Sequence, residues 1–236
     1  MKKYFIFSSL LLCFVLFAGC SKSIEFSAKV DSEEAIYEYI QGDIKGADVV
    51  EAKTSDGNVY NGEILNNKYQ ISIPALGEKQ KVSISAKNKT NSVEKELELP
   101  AKKPFDDYFL FSLSMNKEIK EINNNAKISF PSEVKNGISD VSNQNGVIAT
   151  VNVYNDKILG IQLRTDSDIN KEIPTVLLAF QKVYNASSEN IAIAYNNILK
   201  DKEKTSFTAN GYDFIFEYDG TNEQKGNTLF VDIYKK

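Results

Sequence analysis

The sequence has no histidine and no tryptophan, two cysteines (Cys13 and Cys20), and one arginine, Arg164. Without histidine, Ser-His-Asp and Cys-His catalysis and every histidine-containing zinc site are excluded. Without tryptophan, a carbohydrate-binding face would have to rely on tyrosine and phenylalanine. Cys13 lies inside an apolar N-terminal run, which leaves Cys20 as the one cysteine of the chain that follows. A disulfide, thiol redox chemistry and a cysteine-based metal site are then excluded. What remains open is paired-carboxylate chemistry, a Ser-Lys pair, metal binding through oxygen ligands, or no catalysis.

The beginning of the chain is the most specific segment. Lys2 and Lys3 precede an apolar run from Tyr4 to Phe17, followed by Phe17-Ala18-Gly19-Cys20 and polar Ser21-Lys22-Ser23. A charged start, a short apolar core and small residues describe a secretory signal peptide. The run is shorter than the roughly 20 residues of a spanning helix. Ala18, Gly19 and Cys20 resemble the lipobox of bacterial lipoproteins, with Phe17 where that family usually carries Leu. The resemblance implies cleavage between Gly19 and Cys20 and a diacylglyceryl group on the Cys20 sulfur. Residues 1–19 would be the signal peptide and 20–23 the lipidated cysteine with a short tether. Two acyl chains hold a protein stably to a membrane where one does not. The implied location is the extracytoplasmic face of the cell membrane, or the outer membrane in a diderm host.

The formal charge is -4, and removing Lys2 and Lys3 takes it to -6. An acidic chain does not suit nucleic acid, whose phosphates call for clustered Lys and Arg. Nor does it suit electrostatic adhesion to anionic lipid, so membrane attachment falls to the covalent lipid on Cys20.

Residues 24–100 carry short alternating runs punctuated by turn residues, such as Val49-Thr54, Tyr69-Ile73, Val82-Lys87 and Val93-Leu99, which predict an all-β sandwich of about seven strands. The succession Gln41-Gly42, Ala47-Asp48-Val49-Val50 and Tyr69-Gln70-Ile71-Ser72-Ile73-Pro74 resembles bacterial immunoglobulin-like domains, which implies a spacer or a binding platform. Pro100-Ala101-Lys102-Lys103-Pro104 breaks both periods and marks a boundary.

Residues 101–236 predict an α+β domain: an antiparallel sheet with helices on one face. A helix is expected over 106–123, capped by Asp106, with Phe105, Phe109, Leu113, Met115, Ile119 and Ile122 inward. Residues 126–146 look like loop. A β-β-α-α-β-β-β order should follow: strands 147–154 and 158–165, helices 171–184 and 188–200, and strands 205–209, 212–218 and 228–234. Asn210-Gly211 between alternating runs is a strong hairpin signal.

Four groups of residues are candidates for chemistry. Asp166, Asp168 and Asn170 have the alternate-oxygen spacing that opens a calcium loop. However, Lys171 stands where glycine is needed and Leu177 where glutamate is needed, so a polar helix-capping loop is the alternative. Arg164, at a strand end, could clamp a carboxylate or phosphate, or be a surface side chain. The acid clusters Asp106-Asp107 and Glu94/Glu96/Glu98 fit a helix cap and a solvated strand face. Tyr212, Phe214, Phe216 and Tyr218 share one strand face, either an aromatic platform or core. The sequence supports a lipid-anchored envelope protein that binds an envelope protein, a peptide or a glycan without catalysis or cofactor. The alternatives are a carboxylate-dependent hydrolase of wall polymer and a phage-exclusion or immunity lipoprotein.

Overall fold

A computed structural model describes residues 23–166, 172–186, 188–219 and 228–236. Among the described residues up to Pro100 the strands are β1 (Glu25–Phe26), β2 (Lys29–Asp31), β3 (Tyr37–Lys45), β4 (Val49–Thr54), β5 (Val59–Asn61), β6 (Glu63–Leu65), β7 (Lys68–Pro74), β8 (Gln80–Lys87) and β9 (Ser92–Leu99). Then come β10 (Asp106–Asp107), α1 (Tyr108–Ile122), β11 (Gly137–Gln144), β12 (Val147–Tyr154), β13 (Lys157–Thr165), α2 (Glu172–Tyr184), α3 (Ser188–Asp201), β14 (Thr205–Ala209), β15 (Tyr212–Asp219) and β16 (Thr228–Lys235). Among the described residues, no helix is long and apolar enough to cross a membrane.

The chain forms two compact units. One holds residues 23–29, Gln41–Ile71 and Val82–Leu97, and the other Val30–Ile40, Ser72–Lys81 and the described residues from Glu98 onward.

The first unit draws on a five-stranded sheet (β1-β3-β7-β6, with β2 on β3) and a four-stranded one (β5-β4-β8-β9). Strand alternation puts Val50 and Ala52 of β4, Val82, Ile84 and Ala86 of β8, and Tyr69 and Ile71 of β7 in the interior. The sheets meet at Gly62, where a Cβ would lie 2.6 Å from Val50 Cγ1 of one and 2.8 Å from Ile71 Cγ1 of the other. This is a sandwich-like pair of open antiparallel sheets. β9 is less regular than its pattern suggests. Leu99 is buried and Leu97 half-buried, but Val93 is exposed on an edge strand whose other exposed residues are Ser92, Glu94, Lys95, Glu96 and Glu98. Charge on an edge strand discourages pairing with other chains.

The second unit is built on a seven-stranded antiparallel sheet, ordered β11-β12-β13-β16-β15-β14, with β10 on the end of β13. The hairpin turns follow the chemistry expected of them. Asn210-Gly211 and Asn145-Gly146 both have positive φ at both positions, as type I′ turns require. One face of the sheet, with Val147, Ala149, Val151, Leu163, Phe214, Phe216 and Val231, forms a single core with all three helices.

Two local features depart from the sequence pattern. The residue capping α1 is Asp107, whose carboxylate accepts from the Phe109 and Leu110 amides; Asp106 instead accepts from the Tyr184 hydroxyl at 2.7 Å. The helix therefore starts at Tyr108 and buries Tyr108, Phe111, Met115 and Ile119, leaving Phe109 and Leu113 exposed. The stretch 126–146 is not all loop either. β11 pairs along β12 with a bulge between Asp140 and Ser142. The loop before it is anchored, because Asn116 exchanges hydrogen bonds with Phe130 of 2.6 and 2.8 Å. Glu172 accepts from the Lys127 and Ile128 amides and from the Asn145 side chain.

Candidate functional site

The sheet face opposite the helices carries the unusual chemistry of the second unit. Gln162 of β13, Asp232 of β16 and Ile215 of β15 lie side by side in register across its centre. The stretch from Asp31 to Ile36 lies on them. Ala35, Ile36, Ile215 and Tyr234 form a small apolar cluster. Gly160 makes the approach possible, since a Cβ there would collide with the Ala35 carbonyl. Asn152 fixes the same stretch, donating from Nδ2 to the carbonyls of Ile36 (3.2 Å) and Ala75 (2.8 Å). Gly160→Ala is therefore expected to cost about 1–3 kcal/mol, the usual range for overpacking. A thermal melt indistinguishable from that of the parent chain would refute this.

Two acid groups are buried under the stretch. Asp232 is 2 % exposed. It accepts from Gln162 Nε2 at 3.1 Å and from the Ala35 amide, and it is hydrogen-bonded to the carboxyl of Glu34. A hydrogen bond between two carboxyl groups needs a proton on one of them. Burial pushes the Asp232 carboxyl well above the ordinary carboxylate range, and the Glu34 charge adds to this. Burial raises Glu34 as well. The second acid, Glu38, is 0 % exposed and lies 3.5 Å from the ammonium of Lys102, itself buried. Lys102 also donates to the Ser32 carbonyl and sits 4.4 Å from the Tyr234 ring centroid. Burial raises Glu38 and lowers Lys102, each toward its neutral form. The phenol of Tyr39 is pushed up by burial and then by the Glu34 and Asp232 charges.

Chemically, this arrangement fastens a segment. Glycoside hydrolysis by two carboxyl groups needs them about 5–9.5 Å apart, with substrate or water between. Glu34 and Asp232 are in direct contact, and Asp232 has three partners.

The candidates expected from the sequence are dispersed. Gly19, Cys20, Asp168 and Asn170 lie outside the described residues. Asp166 follows β13 directly and accepts from Thr228 Oγ1 at 2.7 Å. Arg164 is exposed on the helix-free face, two residues along β13 from Gln162. Glu94, Glu96 and Glu98 are exposed on β9, and Glu98 is paired with Lys79. Tyr212, Phe214 and Phe216 belong to the core under the helices, with Tyr218 half-buried beside it. Among the described residues, no group of three or more acid or cysteine side chains is placed to hold a metal ion.

Glu34, Glu38, Lys102 and Asp232 were not among the expected residues. A signal for two of them is present in the pattern. Asp232 interrupts the apolar run Leu229-Phe230-Val231-Asp232-Ile233-Tyr234, and Glu38 occupies the inward position between Ile36 and Ile40.

Open surfaces are found elsewhere. A groove of about 780 Å³ in the first unit is lined by Ser27, Lys29, Gln41, Asp43, Lys68 and Tyr69 among others. On α1, Phe109, Leu110 and Leu113 are 52, 54 and 60 % exposed and share one helix face.

No protein-family model matches the chain, and a search of curated proteins finds no significant match.

Proposed function

We propose that this chain is a lipid-anchored protein of the bacterial cell envelope that binds a partner and is not a hydrolase. The anchor rests on the order and spacing of Lys2-Lys3, the apolar run and Ala18-Gly19-Cys20. The preference for binding over hydrolysis is carried by one observation: the Glu34–Asp232 pair is closed on itself and on Ala35. The first unit is the binding or spacing module, in keeping with its sandwich-like sheets and its resemblance to immunoglobulin-like domains. Its ligand is another envelope protein, a peptide or a glycan.

The anchor is tested by Cys20→Ser. In a bacterial host the parent chain is expected in the membrane fraction, carrying lipid by mass spectrometry. The variant is expected as unprocessed precursor or as released protein. A cleaved, unlipidated variant that stays in the membrane fraction as fully as the parent would overturn the reading. Binding is tested by pull-down from native envelopes, with zymography on cell walls as the opposing readout. A clearing band would favour the hydrolase.

A further inference from the structure

The stretch Asp31–Ile36 is a cover as well as a connection. It seals the apolar Ile215 and the Tyr234 ring on the helix-free face, and its fastenings differ in kind. The Asn152 amide bonds to Ile36 and Ala75 carry no proton equilibrium. The bond between Lys102 and the Ser32 carbonyl needs only the ammonium. The bond between Glu34 and Asp232 exists only while the two carboxyl groups hold a proton between them.

We propose that Asp31–Ile36 is a proton-held strap: the shared proton of Glu34 and Asp232 keeps it closed over the sheet, and loss of that proton loosens it and uncovers Ile215 and Tyr234. The proposal does not rest on the lipid anchor; it shares with the proposed function only the Glu34–Asp232 contact. Its direction follows from linkage. Burial raises both acids in the closed state, so the closed state binds the proton more tightly than the open one. Closure is therefore strongest below the ordinary carboxylate range and weakens as pH climbs toward the raised values.

Other ionisable groups face the pair from each element packed around it. From the strap and β3 these are Asp31, Glu33, Tyr37 and Tyr39. The Lys102–Glu38 pair faces it from below. Lys204 and Glu217 face Glu34 from the lead into β14 and from β15. Asp213 and Tyr234 stand on β15 and β16, and Arg164 is further along β13. Lys204 is already paired with Glu217 at 2.9 Å. Burial raises Glu38 and lowers Lys102, so that pair also responds to pH, and it is the change on Glu34→Gln that isolates the Glu34–Asp232 pair.

Amide hydrogen exchange of the chain from Ser21 onward tests this between pH 4 and 9.5, with rates corrected for intrinsic pH dependence. The Ala35 amide, held by Asp232, is expected to lose protection as pH rises, by up to tenfold per pH unit through the titration of the pair. Core amides such as Phe214 should stay level. In Asp232→Asn and in Glu34→Gln the slope at Ala35 is expected to fall, because an amide–carboxyl pair needs no shared proton; what remains is the burial of the acid left behind. Glu34→Gln, at the less buried of the two positions, serves if Asp232→Asn does not fold. Level protection at Ala35 throughout the range in the parent chain would overturn the proposal. So would an unchanged slope in Glu34→Gln.

Discussion

Phe180→Ala is expected to destabilise the second unit by about 3–5 kcal/mol, the range for truncating a fully buried aromatic side chain. Phe180 is 0 % exposed. Its ring has four aromatic neighbours: Phe105 at 6.0 Å, Tyr184 at 4.5 Å, Tyr212 at 5.2 Å and Phe214 at 5.7 Å between centroids. Three of these contacts are edge-to-face, the geometry in which the positive edge of one ring meets the negative face of another. These neighbours come from the linker before α1, from α2 and from β15, so collapse onto the vacated space would require all three to move. The residual cavity adds to the lost transfer energy for that reason. Urea denaturation followed by far-ultraviolet circular dichroism reads the effect. A midpoint within error of the parent's would show that the aromatic cluster does not hold the helices to the sheet.

Lys102→Met is expected to cost a similar amount, about 3–5 kcal/mol near neutral pH, because it strands one charge of a buried pair. Glu38 is fully buried, and Lys102 is its ion-pair partner. The loss should depend on pH with a definite sign. Burial already holds the Glu38 carboxyl above its ordinary range, with Lys102 opposing the shift. Without Lys102 the folded-state value rises further. A carboxyl raised on folding contributes stability that is present below its unfolded value, near 4.3, and is lost as pH rises toward the folded value. The variant should thus be close to the parent at about pH 4 and fall progressively behind through pH 8. Adding Glu38→Leu removes the stranded charge and should recover most of the loss, since apolar replacement of a whole buried pair is often neutral or better. Equal deficits at pH 5 and pH 8 would sink this account.

Local chemistry made several elements legible. Asn210-Gly211 fixes its hairpin because both positions adopt positive φ. Helices α2 and α3 follow from apolar residues at helical spacing, and the stripe Tyr212-Phe214-Phe216 is core, as a half-buried strand against helices would have it. The same logic applied to Asn145-Gly146 marks the turn between β11 and β12. β11 itself, Gly-Ile-Ser-Asp-Val-Ser-Asn-Gln, has too little alternation to announce a strand. Its extended form comes from pairing with β12. The frame of α1 is ambiguous for a physical reason. In Tyr108-Phe109-Leu110-Phe111-Ser112-Leu113 nearly every position is apolar, so two faces qualify. The choice fell to the face that sets Phe111 edge-to-face with Phe105 and Phe130.

The acid cluster was legible only as an irregularity. An aspartate in the middle of Leu229–Tyr234 and a glutamate between Ile36 and Ile40 depart from the apolar pattern, but the pattern cannot say what compensates them. Glu34 meets Asp232 and Glu38 meets Lys102 across long stretches of chain, and each buried charge depends on a partner that no local rule supplies.

The sequence by itself determined the composition limits, the expected anchor at Cys20, and most strands, helices and turns. The strands, helices and turns among these depend on residues within one period or one turn of each other. Only the tertiary structure decided that Val30–Ile40 and Ser72–Lys81 join the second compact unit. It alone also decided that Asp232 and Glu38 are buried. Burial of a charge depends on partners brought together by the whole fold: for Asp232, a glutamine on β13, an amide at Ala35 and a second carboxyl at Glu34.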